Sequence, residues 1–170
     1  MTCLEGWQAA ARRATIFDGD RVKGEANPKA FQPDILITTR DGVTLVVEAK
    51  VALPNLKSAE EDLKQYMVSM QCPTGILITP NRMWLYRDSY TARSPQSILR
   101  VGDFSLARMW RQPPPLQEER FETFVQQWLE DLPKYPSKEA PNELREALRD
   151  YILPAVTSGE VRAAHPRYFL

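Results

Sequence analysis

The sequence predicts an α/β fold: a mixed central sheet of four or five strands, flanked by helices, with a helical extension at the C-terminal end. Three observations carry that expectation. Two β-branched apolar runs, Ile35 to Thr39 and Val43 to Val47, flank Arg40-Asp41-Gly42, and Asp-Gly between such runs is a strong hairpin signal. A helical apolar period then separates this hairpin from two further strand-like runs, Gly75 to Thr79 and Met83 to Arg87. A strand, a helix and a strand in that order imply a right-handed crossover. Finally, past Arg111-Gln112-Pro113-Pro114-Pro115, a stiff proline-rich linker, two more helical patterns follow.

Taken in order, Thr2 to Ile16 reads as a helix, with Thr2 as N-cap, Glu5 at capping-box spacing, and Leu4, Trp7, Ala11 and Ala14 on one face. Arg12 and Arg13 fall on a solvated face. Phe17 to Gln32 is polar, with Gly19, Gly24 and Pro28, and reads as a loop with a short strand near Arg21 to Lys23. The second hairpin strand, with Leu45, Val46 and Val47 nearly unbroken, reads as covered on both faces. After Pro54, Asn55 or Ser58 caps a helix running to about Met70, with Leu56, Ala59, Leu63, Tyr66, Met67 and Met70 toward the sheet. Met83 and Leu85 alternate with Trp84 and Tyr86 as in a half-covered strand, and Ser97 to Val101 suits an edge strand. In the tail, Leu116 to Leu132 carries Phe121, Phe124, Val125, Trp128 and Leu129 on one stripe, and Pro141 to Leu153 forms another helix. That aromatic stripe is expected to be buried, on the sheet-covering helices of the same chain or on a second copy in a homodimer.

Composition narrows the function classes. A chain of 170 residues, 43% hydrophobic and 26% charged, is that of an ordinary globular domain able to bury a core without staples. No run approaches the roughly 18 apolar residues of a membrane span, and no signal-peptide core opens the chain, so a cytoplasmic address is expected. Cys3 and Cys72 are few and far apart, which suits free thiols. With His165 the one histidine, zinc sites and Ser-His-Asp triads have almost nothing to work with, and no organic cofactor motif is present. Carboxylate and lysine chemistry remains. Net charge is zero, but residues 1–112 carry 15 Lys or Arg against 12 Asp or Glu, while 113–170 carry 7 against 10. Zero net charge argues mildly against a strong nonspecific nucleic-acid binder, and the more basic first segment tempers that reading.

The hairpin supplies a chemical grouping. Glu48 and Lys50, two apart on a strand, project to one side, and an antiparallel return brings Asp34 beside them. Two carboxylates and the Ala49 carbonyl between them offer hard oxygen ligands for Mg²⁺ or Mn²⁺, and Lys50 can orient a water or offset developing charge. Glu5 and Glu25 compete as an additional acid. The bland reading is a solvated edge pair, since Glu-x-Lys is common at strand ends.

Pro33-Asp34 followed by Glu48-Ala49-Lys50 resembles the PD-(D/E)XK signature of the restriction-endonuclease-like superfamily. Asp62-Leu63-Lys64-Gln65-Tyr66, Thr74-Gly75-Ile76-Leu77-Ile78-Thr79 and Met83-Trp84-Leu85-Tyr86 extend the likeness to the nuclease domain of type I restriction-enzyme motor subunits and related stand-alone nucleases. The resemblance covers Gln32 to Arg87, about a third of the chain. It implies a restriction-endonuclease-like core over residues 1–112, with 113–170 packed on it or forming a dimer contact. It also implies a Mg²⁺-dependent endonuclease acting on DNA in a defence or mobile-element setting, with Asp34 and Glu48 as ligands and Lys50 positioning the attacking water. Lys64 and Gln65, together with Arg12 and Arg13, are the candidate nucleic-acid contacts. One departure bears on activity: the family's Gln falls on Asp62, an acid that would repel phosphate, with Gln65 one turn on as its substitute. A catalytically silent binding module of the same fold is the alternative.

Overall fold

The hairpin around Asp41-Gly42 lies inside a six-stranded sheet, in a computed structural model that describes residues 31–165. The expected helix at 2–16 with Glu5, Arg12 and Arg13, and the loop carrying Glu25, lie outside the described residues, as does Cys3. Strand β1 (Ile35–Thr39) pairs antiparallel with β2 (Gly42–Ala49), Ile35 opposite Val47 and Thr39 opposite Gly42. Only Arg40 and Asp41 are left to turn the chain. Gly42 leaves the turn at φ +129°, a conformation that side chains bearing a Cβ rarely adopt, which is why glycine stands there.

Helix α1 (Leu56–Ser69) carries the chain from β2 to β3 (Thr74–Ile78), which lies parallel to β2. Its start is fixed by Asn55, whose side chain accepts the Ser58 N–H at 3.1 Å. Its end closes through the Cys72 N–H onto the Met67 carbonyl at 2.8 Å, with Gln71 in the left-handed region. Strands β4 (Arg82–Asp88) and β5 (Ile98–Ser105) continue antiparallel from β3. The expected edge strand thus begins at Ile98 and runs to Ser105, after a 3₁₀ turn over Pro95–Ser97.

The sheet holds one strand more than the sequence predicts. Strand β6 (Glu160–Ala163) pairs antiparallel with the free edge of β1, giving the order β5-β4-β3-β2-β1-β6. Four residues with one β-branched side chain carry little strand signal of their own. It is the unpaired edge of β1 that defines them. They follow helix α2 (Glu118–Asp131), helix α3 (Asn142–Ala147), a π-helical turn at Leu148–Ile152 and helix α4 (Leu153–Ser158). The helix expected at Pro141 to Leu153 is therefore longer and is broken by the π turn. Pro154, which has no N–H to donate, removes a rung of the ladder just past that turn.

Both faces of the sheet are covered. Ile35, Ile37, Leu45, Val47, Ile76, Ile78, Met83 and Leu85 pack against Phe121, Val125 and Leu129 of α2 and against α3 and α4. On the other face Val46, Leu77, Trp84 and Tyr86 pack against Leu63 and Met67 of α1. β4 is accordingly not the half-covered strand the alternation suggests, because α1 closes over Trp84 and Tyr86. The aromatic stripe of α2 lies directly on the sheet: Phe121 is fully buried, and Phe124 and Trp128 are half-buried around Trp110, with edge contacts at 5.1 and 5.6 Å. The described residues belong to one compact unit, and those after the proline-rich segment extend the same sheet.

The α4–β6 corner leaves no room for a side chain. A Cβ at Gly159 would lie 2.7 Å from Ile37 Cγ2, 2.9 Å from the Ala155 carbonyl oxygen and 3.1 Å from that of Thr38. Gly159→Ala is expected to destabilise the fold by about 1–3 kcal/mol through overpacking. Thermal unfolding checks this, with a melting temperature lowered by about 2–4 °C for each kcal/mol.

Candidate active site

The end of β2 is where the chain concentrates buried charge. Asp34 precedes β1 and Glu48 lies near the end of β2. The Asp34 N–H bonds the Val47 carbonyl at 3.1 Å, one residue off the Ile35–Val47 register, and so ties Asp34 to β2. Side-chain alternation puts Asp34, Glu48 and Lys50 on the α1 face, in line with Leu36 and Val46. Asp34 Oδ2 accepts the Ala49 N–H at 2.8 Å. The Lys50 ammonium lies 3.2 Å from Asp34 Oδ2 and 3.1 Å from Glu48 Oε1, so one cation bridges both carboxylates. Asp34 and Glu48 are 6% and 8% exposed, whereas the Lys50 side chain is 30% exposed. The pair is therefore buried, and the amine is its solvent-facing member.

One oxygen in this group has no partner among the described residues: Glu48 Oε2 is buried without a hydrogen bond to any of them. Desolvation, reinforced by the Asp34 charge and opposed by Lys50, pushes the Glu48 carboxyl up to about 7. Burial pulls the Lys50 ammonium down, but the charges of Glu48 and Asp34 outweigh it and hold the amine protonated above its usual range. An unsatisfied, desolvated carboxylate oxygen beside a second carboxylate fits a divalent cation, which would discharge the repulsion and supply the missing partner. Ala49 adds a carbonyl. Its N–H turns toward β1, and N–H and C=O of one strand residue share an edge, so the carbonyl faces the same gap beyond the start of β1. Among the described residues no three His, Cys, Asp or Glu side chains gather in one place. An ion here would complete its shell from water and substrate oxygens.

The raised Glu48 value has a sign that can be measured. The folded chain binds this proton more tightly than the unfolded chain, whose Glu titrates near 4.5. The resulting stabilisation is complete below about 4.5 and is lost as pH rises through about 7. Its size is on the order of 2–3 kcal/mol. Comparing urea unfolding at pH 5 and pH 8, Glu48→Gln is expected to lose less stability than wild type over that interval, by about that amount.

Lys64, Gln65 and Asp62 make no hydrogen bond or ion pair with the trio. The Lys64 ammonium sits 5.8 Å from the Tyr86 ring centre, beside Glu60, whose carboxylate receives the Tyr86 hydroxyl at 2.6 Å and pairs with Arg100. Tyr86 is two strands and two residues along from Glu48, about 12 Å by sheet geometry. Gln65 and Asp62 are both exposed on the solvent side of α1. Two acids that sequence reasoning overlooked lie closer. Glu118 in the first turn of α2 accepts the Val51 N–H at 3.1 Å, fixing the chain just past Lys50, and the charge of Glu122 is felt at Glu48. In the sequence Glu118 reads as an ordinary first-turn helix-dipole partner and Glu122 as a surface acid, and nothing local links either to β2. The Cys72 thiol is free and buried, its titration pushed up to about 11 by desolvation.

Compared with known proteins, the chain matches no family model, no curated protein and no solved structure.

Proposed function

We propose that this chain is a Mg²⁺- or Mn²⁺-dependent phosphodiester hydrolase acting on DNA, of the PD-(D/E)XK type its sequence resembles. The observation that carries the reading is the convergence of Asp34, Glu48 and Lys50 at the end of a buried strand, with Glu48 Oε2 left unpartnered. Asp34, Glu48 and the Ala49 carbonyl would hold the ion. A bound divalent cation supplies Lewis-acid polarisation of a phosphoryl oxygen and a more acidic water. The chain's own groups do the rest. Lys50, protonated and half open to solvent, orients the attacking water and offsets charge growing on the phosphate, because an ammonium donates hydrogen bonds and cannot itself ligate a metal. The Ala49 N–H fixes the Asp34 carboxylate, so that little reorganisation accompanies binding. A cytoplasmic setting, in a defence or mobile-element system, belongs to the same proposal.

A specific observation favours the silent-module alternative: Lys50 already bridges both carboxylates, an arrangement that stands without an ion. Incubating the protein with supercoiled plasmid and with single-stranded DNA, with Mg²⁺ or Mn²⁺, separates the two. Cleavage that stops on chelation supports the hydrolase. Intact substrates under every condition favour the silent module.

A further inference from the structure

We propose that a cavity on the helical side of the sheet binds a small amphipathic anion, with a carboxylate, sulfonate or phosphate head on an apolar body. The cavity, about 410 Å³, is lined only by residues between Leu132 and Leu153 and shares none with the carboxylate pair. Its volume is within the usual range of small-molecule sites, about 300–1,000 Å³. The inference stands independently of the hydrolase reading.

Charge placement is the first argument. The segment from 113 to 170 is acidic, with 7 Lys or Arg against 10 Asp or Glu. Yet the cavity lining takes Lys138, Arg145 and Arg149 from it and one acid, Glu146. Arg149 is engaged by Asp150 at 2.8 Å. The other two cations form no ion pair with a described residue. Lys138 has no side-chain partner among the described residues. The Arg145 guanidinium is steadied by two neutral acceptors, the Lys138 carbonyl at 3.4 Å and the Asn142 side-chain oxygen. A guanidinium held in place by neutral groups keeps its charge and its remaining donors for an anion, and loses little freedom on binding one.

Shape is the second argument. Behind the cations lie Leu132 and Leu148, 2% and 5% exposed, and the half-buried Leu153. Leu148 and Arg149 enter the lining from the π-helical turn, whose extra residue widens the helix there, and such turns recur at functional positions. A bare inorganic anion would leave this apolar floor wet. A neutral apolar ligand would leave two cations unused. An amphipathic anion satisfies both.

The test uses the full chain titrated with 8-anilinonaphthalene-1-sulfonate by fluorescence, with octanoate and inorganic phosphate as competitors. The expected result is one saturable site, displaced by octanoate well before phosphate. Binding should weaken at least tenfold in a Lys138→Gln, Arg145→Gln double variant whose melting temperature is unchanged. Lys138→Gln alone should weaken it several-fold; since that side chain makes no internal bond, the loss reports on the ligand and not on the fold. Equal affinity in the double variant would overturn the proposal, as would dye binding that never saturates. So would phosphate competing as well as octanoate, because the apolar floor would then have no role.

Discussion

A chain ending at Gln112 is expected not to fold. The deletion removes Phe121, Val125, Leu129, Leu144, Leu148 and Ile152, all buried, and with them every helix on one face of the sheet. It also strips β6 from the edge of β1. Eight buried apolar side chains of β1 to β4 would face water: Ile35, Ile37, Leu45, Val47, Ile76, Ile78, Met83 and Leu85. Each fully buried side chain of this size contributes about 1.5–3 kcal/mol, against a net stability of about 5–15 kcal/mol for a whole domain. Circular dichroism and sedimentation should find an aggregated or unfolded product. A soluble, cooperatively melting monomer would mean that the tail is an adaptor and not the second wall of the core. The graded version is Phe121→Ala, for which about 3–5 kcal/mol is expected, read by urea unfolding.

Lys50→Ala is expected to abolish DNA cleavage while leaving metal binding intact or tightened. Its ammonium touches both carboxylates, at 3.2 and 3.1 Å, so in the resting protein it competes with a cation for the same oxygens. Removing it exposes the pair and raises the repulsion that a metal would relieve. The same substitution takes away the only charged donor among the described residues that touches both carboxylates, and losing one such preorganised donor costs about 10²–10³ in rate. A drop in cleavage together with retained Mg²⁺ affinity is the signature, since a merely structural lysine would lose both or neither. Undiminished cleavage would remove Lys50 from the mechanism.

What was legible in the sequence was local. Asp41-Gly42 between β-branched runs announces the β1–β2 hairpin, whose pairing, shifted by one residue between Ile37 and Thr38, carries Asp34 to Glu48 and Lys50. Asn55 announces α1, and the apolar period of α1 announces the face it buries. What escaped was decided by contacts distant in sequence. β6 is a strand because β1 has an open edge, and β4 is covered twice because α1 and the C-terminal helices pack on opposite faces of the sheet. The α2 stripe signals burial but not its partner, which is the sheet itself. The contact of Lys64 with the Tyr86 ring, two strands beyond β2, likewise has no signal in the sequence around Lys64. Glu118 gains its role at Val51 only through folding.

Whether Asp34 and Glu48 form one cation site is measured most directly by calorimetric titration with Mg²⁺. The prediction is saturable binding by wild type and by Lys50→Ala at pH 8, weaker at pH 6 where the Glu48 proton competes, and lost in Asp34→Asn and in Glu48→Gln. Mg²⁺ affinity unchanged in Glu48→Gln, or no binding by any of the four proteins, would contradict it.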